Sequence, residues 1–405
     1  MAPIWYGESC LNLKNGIIKD LEIDYPDFYK DLTILIGYGP KIFNLRGALR
    51  KRPSLLTADL SFALPIKGGG VIFPGSDLNY HEDLIENHAA SDDIVIQFIS
   101  GKQYVTHQGL VEVWRELSRA SKDESYINKL SVTTFYQGFR RADNRNWTGF
   151  HDGVSNLKPE DREKFIPIGQ SQVQLEDKWL VKGTFMAFIR IFIDLQKWWQ
   201  KKTDEQELMV GRRKSTGCPI IGYDKSNKPI SDKNCPVKGT REVTDKGNER
   251  FRDHPPYGFQ RLASGVLDED LKFSHIGAMK IVKNTNPWEK QVQQNSIFRQ
   301  GFEFLEQCNA YPGIMAGLNF ISFQNDPKRL FNTMTNWNEK KAIVLTKWQN
   351  KNLNSSARLA LNSFFKVGAA GLFLVPPFNE NEIFPGSSIF FSTKDTARGS
   401  NIWKS

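Results

Sequence analysis

Apolar positions along the chain fall into short runs, and each run is followed by a polar break and then by a segment of helical period. "DLTILIGYGPKIF" (31–43) opens the series and "DDIVIQFIS" (92–100) repeats its strand-like part. The latter leads into "QGLVEVWRELSRA" (108–120), where Leu110, Val113, Trp114 and Leu117 recur at i, i+3, i+4 and i+7. That spacing is the apolar stripe of an amphipathic helix. "SVTTFYQGF" (131–139) is β-branched and aromatic and predicts a strand. "GTFMAFIRIFIDLQKWW" (183–199) begins as a strand and turns helical, and "GLNFISFQNDPKRLFNTMTNW" (317–337) does the same. In the second of these, Asp326 before Pro327 is the N-cap and first-turn signature of a helix. "AAGLFLVPP" (369–377) predicts one more buried strand, stopped by two prolines.

Strand-to-helix units in both halves, with hairpin-like strands between them, predict an α+β fold of two similar layers, for which ferredoxin-like split βαβ units fit. The expected division is an N-terminal half, 1–175, and a C-terminal half, 176–405, which carries a polar, Lys-, Gly- and Pro-rich excursion at about 200–260.

Composition narrows the partners. The net charge of +9 favours acidic partners, but it is spread without a basic run or a stripe alternating with aromatics. Nucleic acid is therefore not expected. The four cysteines, Cys10, Cys218, Cys235 and Cys308, have no zinc spacing. Cys218 and Cys235 each precede a proline, and a disulfide between them is left open. So few cysteines in 405 residues fit a reducing compartment. No apolar stretch approaches a membrane span, and "MAPIWYGESC" has neither a signal-peptide pattern nor twin arginines. A cytoplasmic location is the expectation.

Three places carry candidate chemistry. "GFHDGVSN" (149–156) sets His151 and Asp152 between two glycines. Alone, it reads more readily as a turn than as a site. His275 lies in a mildly apolar segment, where it is either a structural imidazole or an iron ligand. Arg299 in "IFRQGFEF" sits among bulky apolar residues, so it either reaches water or aims a fixed charge into a cavity.

In their order, these blocks resemble the dye-decolourising peroxidases, a family of haem b enzymes. "DLTILIGYGPKIF" resembles the family's first strand. "SVTTFYQGFRR" with "TGFHDGVSN" resembles the strand and G-x-x-D-G motif that follow it. "GTFMAFIRIFIDLQKW", "GRRKSTGCPI", "SHIGAMK", "IFRQGFEF", "GLNFISFQNDPKRLF" and "LFLVPP" resemble later blocks. The resemblance covers most of the chain. It implies two ferredoxin-like halves, each a four-stranded antiparallel sheet with flanking helices, and one haem b per chain bound mainly by the second half. It implies a peroxidase in which hydrogen peroxide oxidises dyes, phenols or other one-electron donors through a ferryl–porphyrin radical intermediate. The alternative it leaves open is haem storage, transfer or iron release with incidental peroxidase activity. A homo-oligomer is also compatible with it.

By region, the resemblance makes His275 the proximal iron ligand and Asp152 and Arg299 the distal pair. Gly153, Val154 and Lys280 join them at the cofactor. Asp326 either accepts a hydrogen bond from the proximal imidazole, or caps its helix, or does both. Asp152 would shuttle the peroxide proton, and Arg299 would stabilise charge on the leaving oxygen. An aspartate in the role of base implies activity that is best at acidic pH. The sequence departs from the family behind His275. There the usual Asn-Pro-Arg is displaced, with Asn286-Pro287 late and Trp288 in place of arginine. Alignment on Asn286-Pro287 moves the ligand position to Met279 or Lys280. His151 is left either in the distal hydrogen-bond network or facing away from it.

Overall fold

The computed structural model describes residues 31–44, 48–56, 64–65, 71–72, 93–120, 132–152, 156–157, 159–218, 220–223, 229–231, 275, 296–309, 312–330, 364–377 and 385–390. Ten strands are defined: β1 (Thr33–Tyr38), β2 (Leu64–Pro65), β3 (Val71–Ile72), β4 (Ile94–Ile99), β5 (Thr184–Ile193), β6 (Ile220–Tyr223), β7 (Pro229–Ser231), β8 (Phe298–Gln307), β9 (Ile314–Gln324) and β10 (Phe365–Val375). Among the described residues the helices are α1 (Gln103–Ala120), α2 (Pro159–Phe165), α3 (Leu195–Trp199) and α4 (Thr203–Val210), with helical residues 328–330 after β9 and short 3-10 turns between.

Six strands form one antiparallel sheet in the order β4-β1-β10-β5-β9-β8; β2-β3 and β6-β7 are separate hairpins. The fold is thus α+β, built on a curled antiparallel sheet. Strands from before and after residue 175 share it, joined where Tyr38 pairs with Leu374. Long registers hold the other side: β5 pairs with β10 from Phe365↔Ile193 to Val375↔Thr184, and with β9 from Phe185↔Gln324 to Ile193↔Ala316.

Side chains alternate across the strands, so each face has its own core. One face collects Ile36, Tyr38, Phe185, Ala187, Ile189, Ala370, Leu372 and Leu374 under Ile42, Leu56, Leu180, Leu330 and Ile389. The other packs Met186, Ile321 and Phe323 with Phe188, Phe298 and Phe302. Helix α1 covers β4 and β1 through Val113, against Ile34, Ile96, Phe98 and Leu117. A Cβ on Gly109 would stand 2.8 Å from the Phe98 ring, so glycine sets how closely α1 approaches.

The two strand-then-helix units form where the pattern predicts them. Asp194 ends β5 and caps α3 by accepting the Lys197 N–H at 2.9 Å. Asp326 accepts the Lys328 N–H at 2.9 Å, so its capping role is realised.

Two expectations fail. Residues 132–140 are exposed and form no strand; only Phe139 bridges, to Glu303. Phe139 and Glu303 of β8 exchange backbone hydrogen bonds at 2.8 and 2.7 Å, Asn319 Nδ2 donates to the Gln137 carbonyl at 2.8 Å and Tyr136 stacks on Phe188, so one bridge and side chains hold this segment. On α1 the buried positions are Val105, Gly109, Glu112 and Val113, and Trp114 is 66% exposed. Of the expected stripe, Val113 is buried with Leu117 packed against it, and Trp114 is the position that turns to solvent.

Cys218 is disulfide-bonded, while Cys308 is in no disulfide. The other half of the bridge lies outside the described residues. Among the described residues no helix is long and apolar enough to cross a membrane, and no cluster of metal-ligating side chains occurs.

Candidate functional site

"NRNWTGFHD" (144–152) folds as a tight hairpin. Arg145 pairs with His151, the Gly149 N–H donates to Asn146 O at 2.8 Å, and the Asp152 N–H donates to Asn144 O at 2.8 Å. Gly149 has φ +88°, where a Cβ is unfavourable, so the first glycine of the motif is required by the turn. The hairpin presents Asp152 to the edge strand β8. There a Cβ on Gly301 would lie 2.6 Å from Asp152 Oδ2, so the carboxylate rests almost on the strand backbone.

Strand β8 supplies the rest by period two: Arg299, Gly301 and Glu303 share a face. Asn156 holds the edge of β8 as a strand would. Its Oδ1 accepts the Arg299 N–H at 2.9 Å, and its Nδ2 donates to Arg299 O at 2.7 Å. Asp152, Arg299 and Glu303 all line one cavity of about 210 Å³, together with Arg140, Arg141 and Arg145. Burial lowers the Arg299 guanidinium below its ordinary range and the Asp152 charge opposes this. Glu303 is pushed up to about 7 by burial and by the Asp152 charge, against the Trp147 N–H it accepts and the charge of Arg141.

A second loop backs the hairpin. Arg145 donates through Nη1 to Gly149 O at 2.7 Å and to Lys214 O, and through Nη2 to Ser215 O at 3.1 Å. Buried Glu207 gathers this loop, taking the Lys214 N–H at 2.7 Å and Arg213 Nη1 at 2.6 Å. Arg212 donates to Gly217 O at 2.9 Å and is lowered to about 10 by burial and by the charge of Arg299. His151 is lowered to about 4, first by burial and then by the charges of Arg145 and Arg212, with Asp143 opposing. It is a neutral, half-buried imidazole and is not among the residues lining the cavity.

His275 is helical and half-buried, with Nδ1 shielded from solvent. Gly153, Val154, Met279 and Lys280 lie outside the described residues. Two of the candidates, Asp152 and Arg299, are thus brought together in one cavity.

The model of the Dyp-type peroxidase C-terminal region matches residues 143–380, more than half of the chain. The chain belongs to the Dyp-type peroxidase family. Its similarity to individual members is low. Deferrochelatase of Yersinia pestis bv. Antiqua (strain Nepal516) is 20% identical over 324 residues, covering 76% of this chain and 59% of the relative. Deferrochelatase of Escherichia coli O157:H7 is 21% identical over 247 residues, 60% of this chain and 45% of the relative. The chain therefore spans less than two thirds of the curated relatives it matches. Among solved structures, DyPB from Rhodococcus jostii RHA1 superposes with a TM-score of 0.55 at 16% identity, over 92% of this chain and 88% of that one. DtpA from Streptomyces lividans gives 0.55 at 20% identity, over 89% and 78%. A DypB variant in complex with heme is also similar, with TM-score 0.55 at 15% identity over 92% of this chain and 88% of that one.

In this member of the Dyp-type peroxidase family, the sequence pattern does not single out Glu303, Asn156, Arg145 or Arg212. The first was within reach, since counting in twos along β8 from Arg299 leads to Gly301 and Glu303. Asn156 ends "GFHDGVSN", but nothing in the chain announces that its amide would stand in for a strand. Arg145 and Arg212 act through tertiary contacts that spacing does not reveal.

Proposed function

We propose that this chain binds one haem b and is a peroxidase that uses hydrogen peroxide to oxidise dyes, phenols or other organic one-electron donors. The observation that carries this reading is the shared cavity of Asp152 and Arg299, in a chain of the Dyp-type peroxidase family. The residues fit the group. A half-buried imidazole at His275 suits an iron ligand, and the arginines of the cavity suit carboxylate-bearing side groups. His275 would hold the iron, with Gly153, Val154, Lys280 and Arg299 at the macrocycle. If the segment aligns on Asn286-Pro287, Met279 or Lys280 takes the ligand's place. Asp326, already a helix cap, would also accept a hydrogen bond from the proximal imidazole.

When bound, haem supplies an iron that takes up peroxide and accepts electrons singly from the reductant. The chain's own residues do the proton work. Asp152 takes the proton from one peroxide oxygen and returns it to the other. Arg299, fixed by Asn156 through its backbone, stabilises negative charge on the departing oxygen. Gly301 gives the carboxylate room. The architecture assigned on this reading is two ferredoxin-like halves, 1–175 and 176–405. The order β10-β5-β9-β8 supports it for the second half, its four strands running fourth, first, third, second.

A second reading is haem storage, transfer or iron release, favoured by relatives named deferrochelatase, a haem-related activity. One experiment separates the two: absorption spectra of haem-loaded protein before and after one equivalent of peroxide. A Soret band that changes on adding peroxide, and returns when a reductant dye is oxidised, supports the peroxidase. A Soret band indifferent to peroxide favours haem handling, and absence of the band overturns both. His275→Ala should loosen haem, whereas Arg299→Leu should retain it and slow the peroxide step.

A further inference from the structure

We propose that Glu303 is a second proton-carrying carboxyl of the cavity, a relay that delivers protons from solvent to Asp152 during turnover. The proposal rests on the peroxidase reading above.

Reduction of hydrogen peroxide to two waters consumes two electrons and two protons, H2O2 + 2e⁻ + 2H⁺ → 2H2O. An organic donor supplies the electrons one at a time. The shuttle at Asp152 only moves a proton between the two peroxide oxygens, so the two consumed protons must enter the cavity by another group.

Glu303 is placed for that task. It lies two positions beyond Gly301 on the face of β8 that carries Arg299, and Asp152 stands over the glycine between them. It is 4% exposed and lines the cavity. One carboxyl oxygen, Oε2, accepts the Trp147 N–H at 2.8 Å. The other, Oε1, is buried and finds no hydrogen-bond partner among the described residues. A buried oxygen left so costs about 1–3 kcal/mol. A purely structural anchor for Trp147 would not need it.

The surroundings favour a neutral acid over an ion pair. The carboxylate of Asp152 faces Glu303 from the hairpin. From the same segment comes Arg141, whose guanidinium is already engaged by Asp143, at 3.0 Å from Nε to Oδ1 and 2.7 Å from Nη2 to Oδ2. Arg140 and Arg145 line the same cavity from that segment, Arg162 from α2 and Arg299 from β8 itself. From β9, Leu318 stands opposite Glu303 and offers no charge. Burial and the charge of Asp152 outweigh Arg141, which holds the proton on Glu303 up to about pH 7. Two carboxyls whose environments differ in this way divide into a base and an acid. The cavity, about 210 Å³ and polar, has room for several waters to link them. In the transfer, the O–H bond at Glu303 breaks and one forms on the Asp152 carboxylate, directly or along such waters. The Glu303 carboxylate then regains a proton from solvent.

The test has two arms. In haem-free protein, infrared difference spectra against pH should show a protonated carboxyl that ionises near pH 7 and is absent from Glu303→Gln. In haem-loaded protein, Glu303→Gln should lower kcat about tenfold or more with the KM for peroxide unchanged, and remove the fall in rate above pH 7. Glu303→Asp, which keeps a carboxyl, should retain an ionising band and recover part of the rate. It carries the same test if the glutamine variant does not fold. A Soret band with wild-type kcat and pH profile in the variants overturns the relay alone. So does an infrared spectrum without the titrating carboxyl. Failure to bind haem at all removes the peroxidase reading, and the relay with it.

Discussion

Gly301→Ala tests the role of Asp152 without touching it. The added methyl would stand 2.6 Å from Asp152 Oδ2 and 3.1 Å from Leu318 Cδ1. Ordinary contact between heavy atoms lies near 3.5 Å, so the carboxylate must withdraw by close to 1 Å. It is the free end of a short side chain and can do so by rotating. Overpacking against Leu318 costs about 1–3 kcal/mol, and the lower chain entropy of alanine in a strand returns about 0.5–1 kcal/mol of that. The fold should therefore survive with a loss of about 2 kcal/mol or less. A misplacement of that order at a reacting group costs roughly 100-fold in rate. The assays are urea unfolding, the Soret band of haem-loaded protein, and kcat with peroxide and a dye. The expected result is a near-native unfolding curve, retained haem and kcat down about 100-fold. Wild-type kcat with alanine at 301 would refute the reasoning, because the rate would then not depend on where that carboxylate sits.

Four further outcomes are expected. His151 is held at about 4, below its ordinary 6.5, so stability is full above pH 6.5 and is lost as pH falls towards 4. His151→Gln should remove that loss, up to about 3 kcal/mol, in urea titrations across this range. Glu303 has the opposite sign. Held at about 7, above its ordinary 4.5, it lets stability fall as pH rises from 4.5 through 7. Glu303→Gln should then be more stable than wild type at pH 8 by up to about 3 kcal/mol; an unchanged difference between pH 4 and 8 would contradict this. Gly317→Ala should be far more damaging than Gly301→Ala, because its Cβ would collide with the Ile191 carbonyl and the Phe304 ring, neither of which can yield cheaply; soluble yield and melting temperature check this. Finally, Arg190 is buried beneath Tyr136 and Phe304, donating to Asn319 Oδ1 at 2.9 Å and Glu306 Oε2 at 2.6 Å. Arg190→Ala leaves the buried Asn319 acceptor unpaired and should cost about 1–3 kcal/mol in the same unfolding assay.

The sequence pattern predicted the sheet better than its surroundings. β5, β9 and β10 are long, apolar and followed by explicit stops or caps at Asp194, Asp326 and Pro376, so local signals suffice. The segment 132–139 has strand composition but no strand, because composition does not supply a partner along its length, and what holds it is one backbone bridge at Phe139, the amide of Asn319 and the ring of Phe188. Trp114 fits a helical stripe on paper, yet the axis of α1 is set by the contact of Gly109 with Phe98, which turns Trp114 to solvent. The candidate site follows the same division. Asp152 and Arg299 carry recognisable motifs. Glu303 does not, because an acidic residue alternating with Phe302 and Phe304 has the pattern of a solvent-facing position. The hairpin that covers this edge of the sheet makes it a buried one.

Because Arg299, Gly301 and Glu303 are spaced by the pleat of β8, the site has no half-steps. Inserting or deleting one residue ahead of Arg299 in that strand would turn all three away together and bring Phe298, Gln300 and Phe302, or their neighbours, under Asp152. Gradual change at this edge is open only to substitutions. Length variation among descendants of this chain should therefore be excluded from β8 and collect in the turns that flank it.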